Sequence, residues 1–247
     1  LKKNFYLSSN LENNFFYSNL ADEIIYYKDS TPIYEIHKKI FNFIEIEKMN
    51  IEKLRKLYSY NINSESSKFE NYSVGVIPFC SSLSKERKLS LENWTKILNY
   101  EKDKNAKFYI FGDISEHFLA IEFINYIKKE TGINNFELLT KNYSFNQKIN
   151  ILNRLNIIYT IDTGYNHIAR VLNKKINSYW GASDPHLMLD KSYTTDEKIH
   201  YTNLPCSPCV HKKNKLPCNG DNICMEIDDK IINKKINNSS WLNYEKY

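Results

Sequence analysis

One short stretch of the chain, Ile157-Ile-Tyr-Thr-Ile-Asp-Thr-Gly-Tyr-Asn-His167, runs from an apolar segment directly into a helical pattern. The β-branched run predicts a buried strand over Ile157–Ile161, and the apolar positions Ile168 and Leu172 predict the helix that follows. Gly164 lets a ligand approach the main chain closely, and the free N–H groups at a helix start attract anions. The stretch therefore predicts a strand, a turn and a helix with an anion site at the turn.

Short strands alternate with amphipathic helices on both sides of this stretch. The predicted strands are Tyr72–Ile77, Lys107–Phe111, Phe136–Leu139, Ile157–Ile161 and Ile176–Trp180. Ser115 is the expected cap of one helix, which Gly132 ends, and Ser144-Phe-Asn-Gln147 is a capping-box pattern that opens another. This alternation favours an α/β fold, a Rossmann-like, doubly wound parallel sheet covered by helices.

The first 70 residues have a different pattern. Helical periodicity covers Ile33–Ile46 and Ile51–Tyr60, and a polar linker covers Asn61–Asn71, without a complete run of βαβ units. We therefore expect four parts. They are the tail or remnant of an N-terminal lobe with a linker (1–70), a nucleotide-sugar-binding domain (71–203), a four-cysteine segment (204–226) and a C-terminal helix (227–247).

Composition excludes several classes of protein. The chain has 247 residues, of which 42% are hydrophobic, and a net charge of +5. It has no apolar run long enough for a transmembrane helix and no signal-peptide h-region at its start, which predicts a cytoplasmic protein. The lysines are scattered rather than clustered, which argues against nucleic-acid binding.

Two loops are candidates for binding a phosphorylated ligand. Asp162, Thr163 and His167 lie at the turn described above, although Asp162 can also serve only as a helix cap and His167 only as a packed side chain. The loop after the first strand of the domain carries Ser82, Arg87 and Lys88, whose hydroxyl and cationic groups suit a diphosphate. Loops at the carboxyl edge of a parallel sheet converge, so we expect the two loops to face each other across an open crevice.

Four cysteines follow the domain: Cys206, Cys209, Cys218 and Cys224. Their spacing is compact enough for a structural four-thiolate metal site, with His211 as a substitute ligand. Reduced thiols and disulfides are the alternatives, and zinc and iron are both open as the metal.

Several motifs, in order, resemble those of the heptosyltransferase family, glycosyltransferase family 9, and mainly its C-terminal domain. The motifs are Val76-Ile-Pro78, Arg87-Lys-Leu-Ser-Leu-Glu-Asn-Trp94, Phe111-Gly-Asp-Ile-Ser-Glu116, Asp162-Thr-Gly-Tyr-Asn-His-Ile-Ala169 and Trp180-Gly-Ala-Ser-Asp-Pro185. The resemblance covers the chain from about Tyr72 to Met225. It implies a bacterial enzyme of the two-lobed GT-B architecture.

The resemblance also implies a reaction. Family members transfer a heptose-like sugar from an ADP-linked donor to lipopolysaccharide core or to a glycan or protein acceptor, without a metal cofactor for catalysis. By position, the donor-binding residues would be Ser82, Arg87 and Lys88 at the diphosphate, Glu116 at the ribose, Tyr143 at the adenine, and Asp162, Thr163, Gly164 and His167 at the phosphate and sugar end. The family's catalytic base belongs to a longer N-terminal lobe, so no base is assigned. Location at the cytoplasmic face of the inner membrane, with peripheral membrane contact, is also implied.

Two other functions stay open on the residues alone. One is a truncated, catalytically weak module that binds a nucleotide sugar without transferring it. The other is a basic zinc protein that binds nucleic acid, for which only Lys212, Lys213 and Lys215 lie near the cysteines.

Overall fold

The computed structural model of the chain describes residues 5–8, 23–26, 31–36, 38, 68–80, 82–190, 196–210, 218, 221–228 and 230. The predicted helix over Ile33–Ile46 is helical at residues 33–36 and at 38, and the rest of it lies outside the described residues. The predicted helix over Ile51–Tyr60 and most of the predicted C-terminal helix also lie outside them.

Eight strands are present in the described residues. They are β1 (Phe5–Ser8), β2 (Glu23–Tyr26), β3 (Ser73–Ile77), β4 (Lys107–Phe111), β5 (Phe136–Leu139), β6 (Ile157–Ile161), β7 (Ile176–Trp180) and β8 (Glu197–Tyr201). The strands β3 to β8 form one sheet in the order β5-β4-β3-β6-β7-β8, and every neighbouring pair is parallel. The strands β1 and β2 form a separate parallel pair that the sequence pattern of the first 70 residues did not predict.

The two central strands are buried on both faces. All five residues of β3 and all five of β6 are buried, which explains their nearly continuous apolar sequence. Gly75 lies in the middle of β3, where an added Cβ would come within 2.6 Å of Leu155 Cδ1. Leu155, which lies just before β6, can therefore pack directly on the β3 backbone.

Helices connect the strands. They are α1 (Leu91–Asn99), α2 (His117–Thr131), α3 (Phe145–Arg154), α4 (Gly164–Val171) and the short α5 (Pro185–Met188). The capping box of Ser144 and Gln147 opens α3 as predicted. The predicted cap at Ser115 is wrong, because Asp113 caps a 3-10 turn over Ile114–Glu116 and α2 begins only after that turn.

Apolar side chains form two separate core clusters. One contains Trp94 of α1, Phe123 of α2 and Val76 of β3, and the other contains Leu152 of α3 and the β3 residue Ile77. Because successive side chains of a strand point to opposite faces, Val76 and Ile77 belong to different faces of the sheet. The sheet is thus covered on both sides, and the predicted α/β architecture with a Rossmann-like parallel sheet is confirmed.

The edge strand β8 was missed by the sequence pattern. Its sequence, Glu197-Lys-Ile-His-Tyr201, has no apolar run, and all five of its residues are half-buried or exposed. The Glu197 carboxylate accepts hydrogen bonds from Arg170 of α4 and from Ser178 of β7, the latter at 2.6 Å. This ion pair is almost fully buried, with side-chain exposures of 6% for Arg170 and 2% for Glu197.

The cysteine-rich segment packs against the carboxyl end of β7. The Ala182 carbonyl accepts hydrogen bonds from the N–H groups of Cys209 (2.9 Å) and Val210 (3.1 Å). At Gly181 an added Cβ would overlap the carbonyl oxygen of Cys224, so only glycine allows this close approach. The segment is thereby fixed to the backbone that directly follows β7.

We expect Glu197→Gln to destabilise the domain by about 3 kcal/mol, because it leaves the Arg170 guanidinium buried without its counter-ion. Glu130→Gln is the matched control, since Glu130 belongs to an exposed ion pair with Lys129 whose loss costs little. Urea unfolding of both variants checks this prediction. Equal midpoints for the two would show that the buried pair contributes nothing to stability.

Candidate donor site at the carboxyl edge

The strand order determines where a ligand can bind. The chain leaves β3 toward β4 and β5 on one side of the sheet and then returns to place β6, β7 and β8 on the other. At such a reversal the loops after the two central strands diverge and leave a crevice at their carboxyl ends. In this sheet the reversal lies between β3 and β6, next to the loops that carry Arg87 and Asp162.

Arg87 and Asp162 meet at this point. Arg87 ends the 3-10 helix Ser82–Arg87 that follows β3, and Asp162 directly follows β6. The Arg87 Nη1 donates to the Asp162 main-chain oxygen at 3.1 Å and to its Oδ2 at 3.3 Å. The same Oδ2 accepts a hydrogen bond of 2.6 Å from the Ser183 hydroxyl, which follows β7. Loops from three neighbouring strands are thus joined at one carboxylate.

This contact corrects one expectation. An open crevice between Arg87 and Asp162 was expected, but an ion pair with side-chain exposures of 15% and 5% spans that gap. The Arg87 Nε is buried and has no hydrogen-bond partner among the described residues. Asp162 therefore holds the guanidinium in place through Nη1, while Nε has no partner among the described residues.

The turn after Asp162 leaves backbone donors accessible. Thr163 is the N-cap residue of α4, but its side chain makes no capping hydrogen bond, and its Oγ1 is buried without a partner among the described residues. An added Cβ at Gly164 would meet no atom within 4 Å. Open space therefore adjoins the first turn of α4, where the helix dipole favours an anion. Asp162 does not cap α4, so its side chain is committed to Arg87 and Ser183.

Asn166 was not singled out from the sequence. It lies in the first turn of α4 and is fully buried, and neither of its side-chain amide atoms has a partner among the described residues. Leaving a buried amide unpaired costs about 1 to 3 kcal/mol. Only its place beside Asp162-Thr-Gly164 could have drawn attention to it, because a lone Asn in a helix is otherwise a weak signal.

His167 lies one turn into α4 and is half-buried. Burial lowers the pKa of His167, and the charge of Arg170 lowers it further, whereas Asp162 and Glu197 oppose the change. The net effect is a pKa below the usual value of 6.5. The imidazole is therefore neutral at pH 7 and can accept as well as donate a hydrogen bond.

The turn after β4 carries Glu116 close to the same edge. The Glu116 Oε2 accepts a hydrogen bond of 2.8 Å from the Asp113 N–H and closes a capping box. The second residue of α4, Tyr165, packs edge-on against Phe111 at the end of β4. Burial raises the pKa of Tyr165 to about 12, and the charges of Asp113 and Glu116 contribute to the rise. Glu116 is thus near the start of α4.

Three other predicted donor residues are not tied to the Asp162 carboxylate by any described contact. The side chain of Ser82 lies outside the described residues. Lys88 lines a cavity of about 290 Å³ with mostly apolar walls that include Phe79 and Trp94. The Tyr143 hydroxyl donates to Glu137 at 2.7 Å. Glu137 is the second residue of β5 and lies toward the amino end of that strand, whereas Asp162 and Gly112 lie at the carboxyl ends of theirs. The roles of these three residues in donor binding stay predictions.

Lys148 was also missed. It lies on α3 among Ile149 and Leu152, which form the buried face of that helix, and its own exposure is only 6%. Its Nζ donates to the Gly112 carbonyl oxygen at 2.8 Å. A lysine four residues before Leu152 falls on the apolar stripe of the helix, and that break in the pattern was the signal available in the sequence.

The four cysteines of the C-terminal segment are all described, and none of them is in a disulfide. Burial raises the pKa of the Cys209 thiol to about 11, and the nearby Cys206 and Cys218 add to the effect. No group of three or more His, Cys, Asp or Glu side chains in the described residues is placed to hold a metal ion. The structural zinc or iron at these thiols stays a prediction, and His211, the substitute ligand, lies outside the described residues.

Comparisons with known proteins agree with this architecture. The family model for Glycosyltransferase family 9 (heptosyltransferase) matches residues 36–219. The chain is similar to a glycosyl transferase family 9 crystal structure from Veillonella parvula DSM 2008, with 13% identity and a TM-score of 0.54 over 75% of this chain and 53% of that one. It is also similar to E. coli heptosyltransferase WaaC with ADP, with 15% identity and a TM-score of 0.53 over 75% of this chain and 55% of that one.

A second WaaC structure, with ADP-2-deoxy-2-fluoro heptose, has 12% identity and a TM-score of 0.55 over 95% of this chain and 64% of that one. At these identities the likeness concerns the fold. The chain spans between half and two thirds of the length of these solved structures. No curated protein matches its sequence. No helix in the described part of the chain is long and apolar enough to cross a membrane.

The lowered pKa of His167 predicts a loss of stability in mild acid. Between the folded-state pKa and the unfolded value of about 6.5, the unfolded chain binds more protons, so stability falls as the pH drops below about 6.5. His167→Gln removes the part of this pH dependence that comes from His167. The fall in urea midpoint between pH 7.5 and pH 5.5 should therefore become smaller. His186→Gln, which changes an exposed histidine, should keep the full fall. An unchanged fall in His167→Gln would contradict the prediction.

Proposed function

This chain belongs to glycosyltransferase family 9, and we propose that it forms the donor-binding part of a glycosyltransferase of the heptosyltransferase type. One observation carries the proposal. Arg87, the open start of α4 and Glu116 come together at the carboxyl edge, beside the reversal of strand order. That edge is where parallel sheets of this order bind nucleotides.

The proposed donor is an ADP-linked, heptose-like sugar. Two of the similar solved structures are E. coli heptosyltransferase WaaC with ADP and with ADP-2-deoxy-2-fluoro heptose. In this chain Arg87 and the free N–H groups at Thr163 and Gly164 would bind the diphosphate, with Ser82 and Lys88 as further contacts. Glu116 would accept hydrogen bonds from the ribose hydroxyls, as a carboxylate after the second strand does in Rossmann folds. Tyr143 and His167 would lie near the adenine and the sugar.

The chemistry of transfer follows from the same groups. When an acceptor oxygen attacks the anomeric carbon, the bond to the leaving diphosphate breaks and negative charge builds on that diphosphate. A guanidinium held by Asp162 and the dipole of α4 would stabilise this charge, because both are fixed before the reaction begins. Such stabilisation requires no metal ion. The base that accepts the acceptor's proton is not assigned to any described residue.

The proposed acceptor is lipopolysaccharide core or another glycan or protein acceptor, at the cytoplasmic face of the inner membrane. The support for this choice is the family membership alone. The alternative is a module that binds the nucleotide sugar without efficient transfer, since no described residue is assigned as the catalytic base.

Binding of ADP tests the donor proposal. We expect Arg87→Met to weaken ADP binding by about 1.5 to 3 kcal/mol, the loss of a charge-assisted hydrogen bond. The ADP affinity of Arg87→Lys should lie between those of the wild type and Arg87→Met, because an ammonium keeps the charge but not the fork of donors. Lys85→Met is the matched control, since it removes an exposed cation from the same 3-10 helix. Calorimetric titration gives the affinities, and equal affinities for Arg87→Met and Lys85→Met would reject the site.

Turnover distinguishes the transferase from the binding module. The full chain is mixed with ADP-heptose and an extract that contains acceptors, and release of ADP is followed. A transferase releases ADP only when the acceptor is present. A protein that binds ADP-heptose but leaves it intact under both conditions is the binding module.

A further inference from the structure

Lys148 is a buried cation without a counter-ion among the described residues. It is 6% exposed, and its Nζ makes one hydrogen bond, to the Gly112 carbonyl oxygen at 2.8 Å. The ion pairs found in the described part of the chain do not include it. A buried, unpaired ammonium has a desolvation penalty, which a methionine of similar length on the same apolar stripe would avoid. Packing alone therefore does not explain why a charged residue occupies this position.

The Gly112–Asp113 peptide group connects Lys148 to Glu116. Its carbonyl oxygen accepts from Lys148 Nζ at 2.8 Å, and its N–H, which belongs to Asp113, donates to Glu116 Oε2 at 2.8 Å. One rigid, planar unit thus has a cation at its oxygen and a carboxylate at its N–H. A cation at the oxygen polarises the peptide and strengthens the bond that its N–H makes.

The packing around Gly112 limits where the carboxylate can go. An added Cβ at Gly112 would lie 3.1 Å from Glu116 Oε2 and 3.0 Å from Thr140 Cγ2. The carboxylate therefore rests directly on the Gly112–Asp113 peptide, and any rotation of that peptide moves it. The rotation is opposed from the other side of the peptide by Lys148.

We propose that Lys148 is a positioning residue for the nucleoside half of the donor, acting through the Gly112–Asp113 peptide on Glu116. The inference rests on the proposed function, since it takes Glu116 as the acceptor for the ribose hydroxyls. In this arrangement the buried charge of Lys148 orients the Glu116 carboxylate toward the ribose. The diphosphate contact, held by Arg87 and the start of α4, does not depend on Lys148.

A comparison of two ligands tests the proposal on the full chain. ADP contains both halves of the nucleotide, whereas inorganic pyrophosphate contains only the phosphate half. Lys148→Met should weaken ADP binding by about tenfold, the loss of one charge-assisted hydrogen bond, and leave pyrophosphate binding unchanged. Lys148→Arg, which keeps a cationic donor, should restore most of the ADP affinity. Lys129→Met is the matched control, because it removes an exposed lysine, and it should change neither affinity.

A purely structural lysine gives a different result. If Lys148→Met binds ADP as the wild type does, or loses ADP and pyrophosphate affinity equally, the positioning role is wrong. Its melting temperature, recorded alongside, should not fall, because a buried charge is removed. A wild-type chain that binds pyrophosphate but not ADP overturns this inference and the assignment of Glu116. A wild-type chain that binds neither ligand overturns the proposed function and this inference with it.

Discussion

The carboxylate of Asp162 is the point on which the geometry of the carboxyl edge depends. It accepts hydrogen bonds from Arg87, which follows β3, and from Ser183, which follows β7, and it directly follows β6. Three neighbouring strands of the sheet therefore have their loops tied to one side chain. Because it makes these contacts, Asp162 fixes both the guanidinium and the start of α4, which are the two groups best suited to a diphosphate.

Several buried polar groups near this edge have fewer hydrogen bonds than they can make. Asn166, the Thr163 hydroxyl and the Arg87 Nε have no partner among the described residues, and Lys148 uses one of its three donors. Each such group has a cost in folding free energy when water is excluded from it. Three of them lie on the loop after β3 and at the start of α4, whereas the nearby Arg170 and Glu197 side chains have their hydrogen bonds made. In a binding site, a bound ligand or water completes hydrogen bonds of this kind.

Much of the fold could be predicted from the sequence, because its central strands are buried on both faces. The predicted bounds of Lys107–Phe111, Phe136–Leu139, Ile157–Ile161 and Ile176–Trp180 match the structure, since apolar runs of this length have few alternatives. The strand β8 was missed, because its residues are half-buried or exposed and its one ion pair to α4, Arg170–Glu197, is not visible as an apolar run. The loops of Arg87 and Asp162 were placed at one edge by topology alone. Their direct contact, and the Lys148 bond to Gly112, depend on side-chain positions that periodicity does not encode.

The packing of the cysteine segment on Gly181 ties two distant parts of the sequence into one mechanical unit. Gly181 touches the Cys224 backbone, Ala182 holds Cys209 and Val210, and Ser183 bonds to Asp162. Three consecutive residues thus connect the cysteine segment with the Asp162 carboxylate. Oxidation or alkylation of these thiols, or removal of the cysteine segment, would therefore displace Ser183 and Asp162. The position of the Arg87 guanidinium would change with them, although none of the four cysteines binds Arg87 or Asp162 in the described contacts.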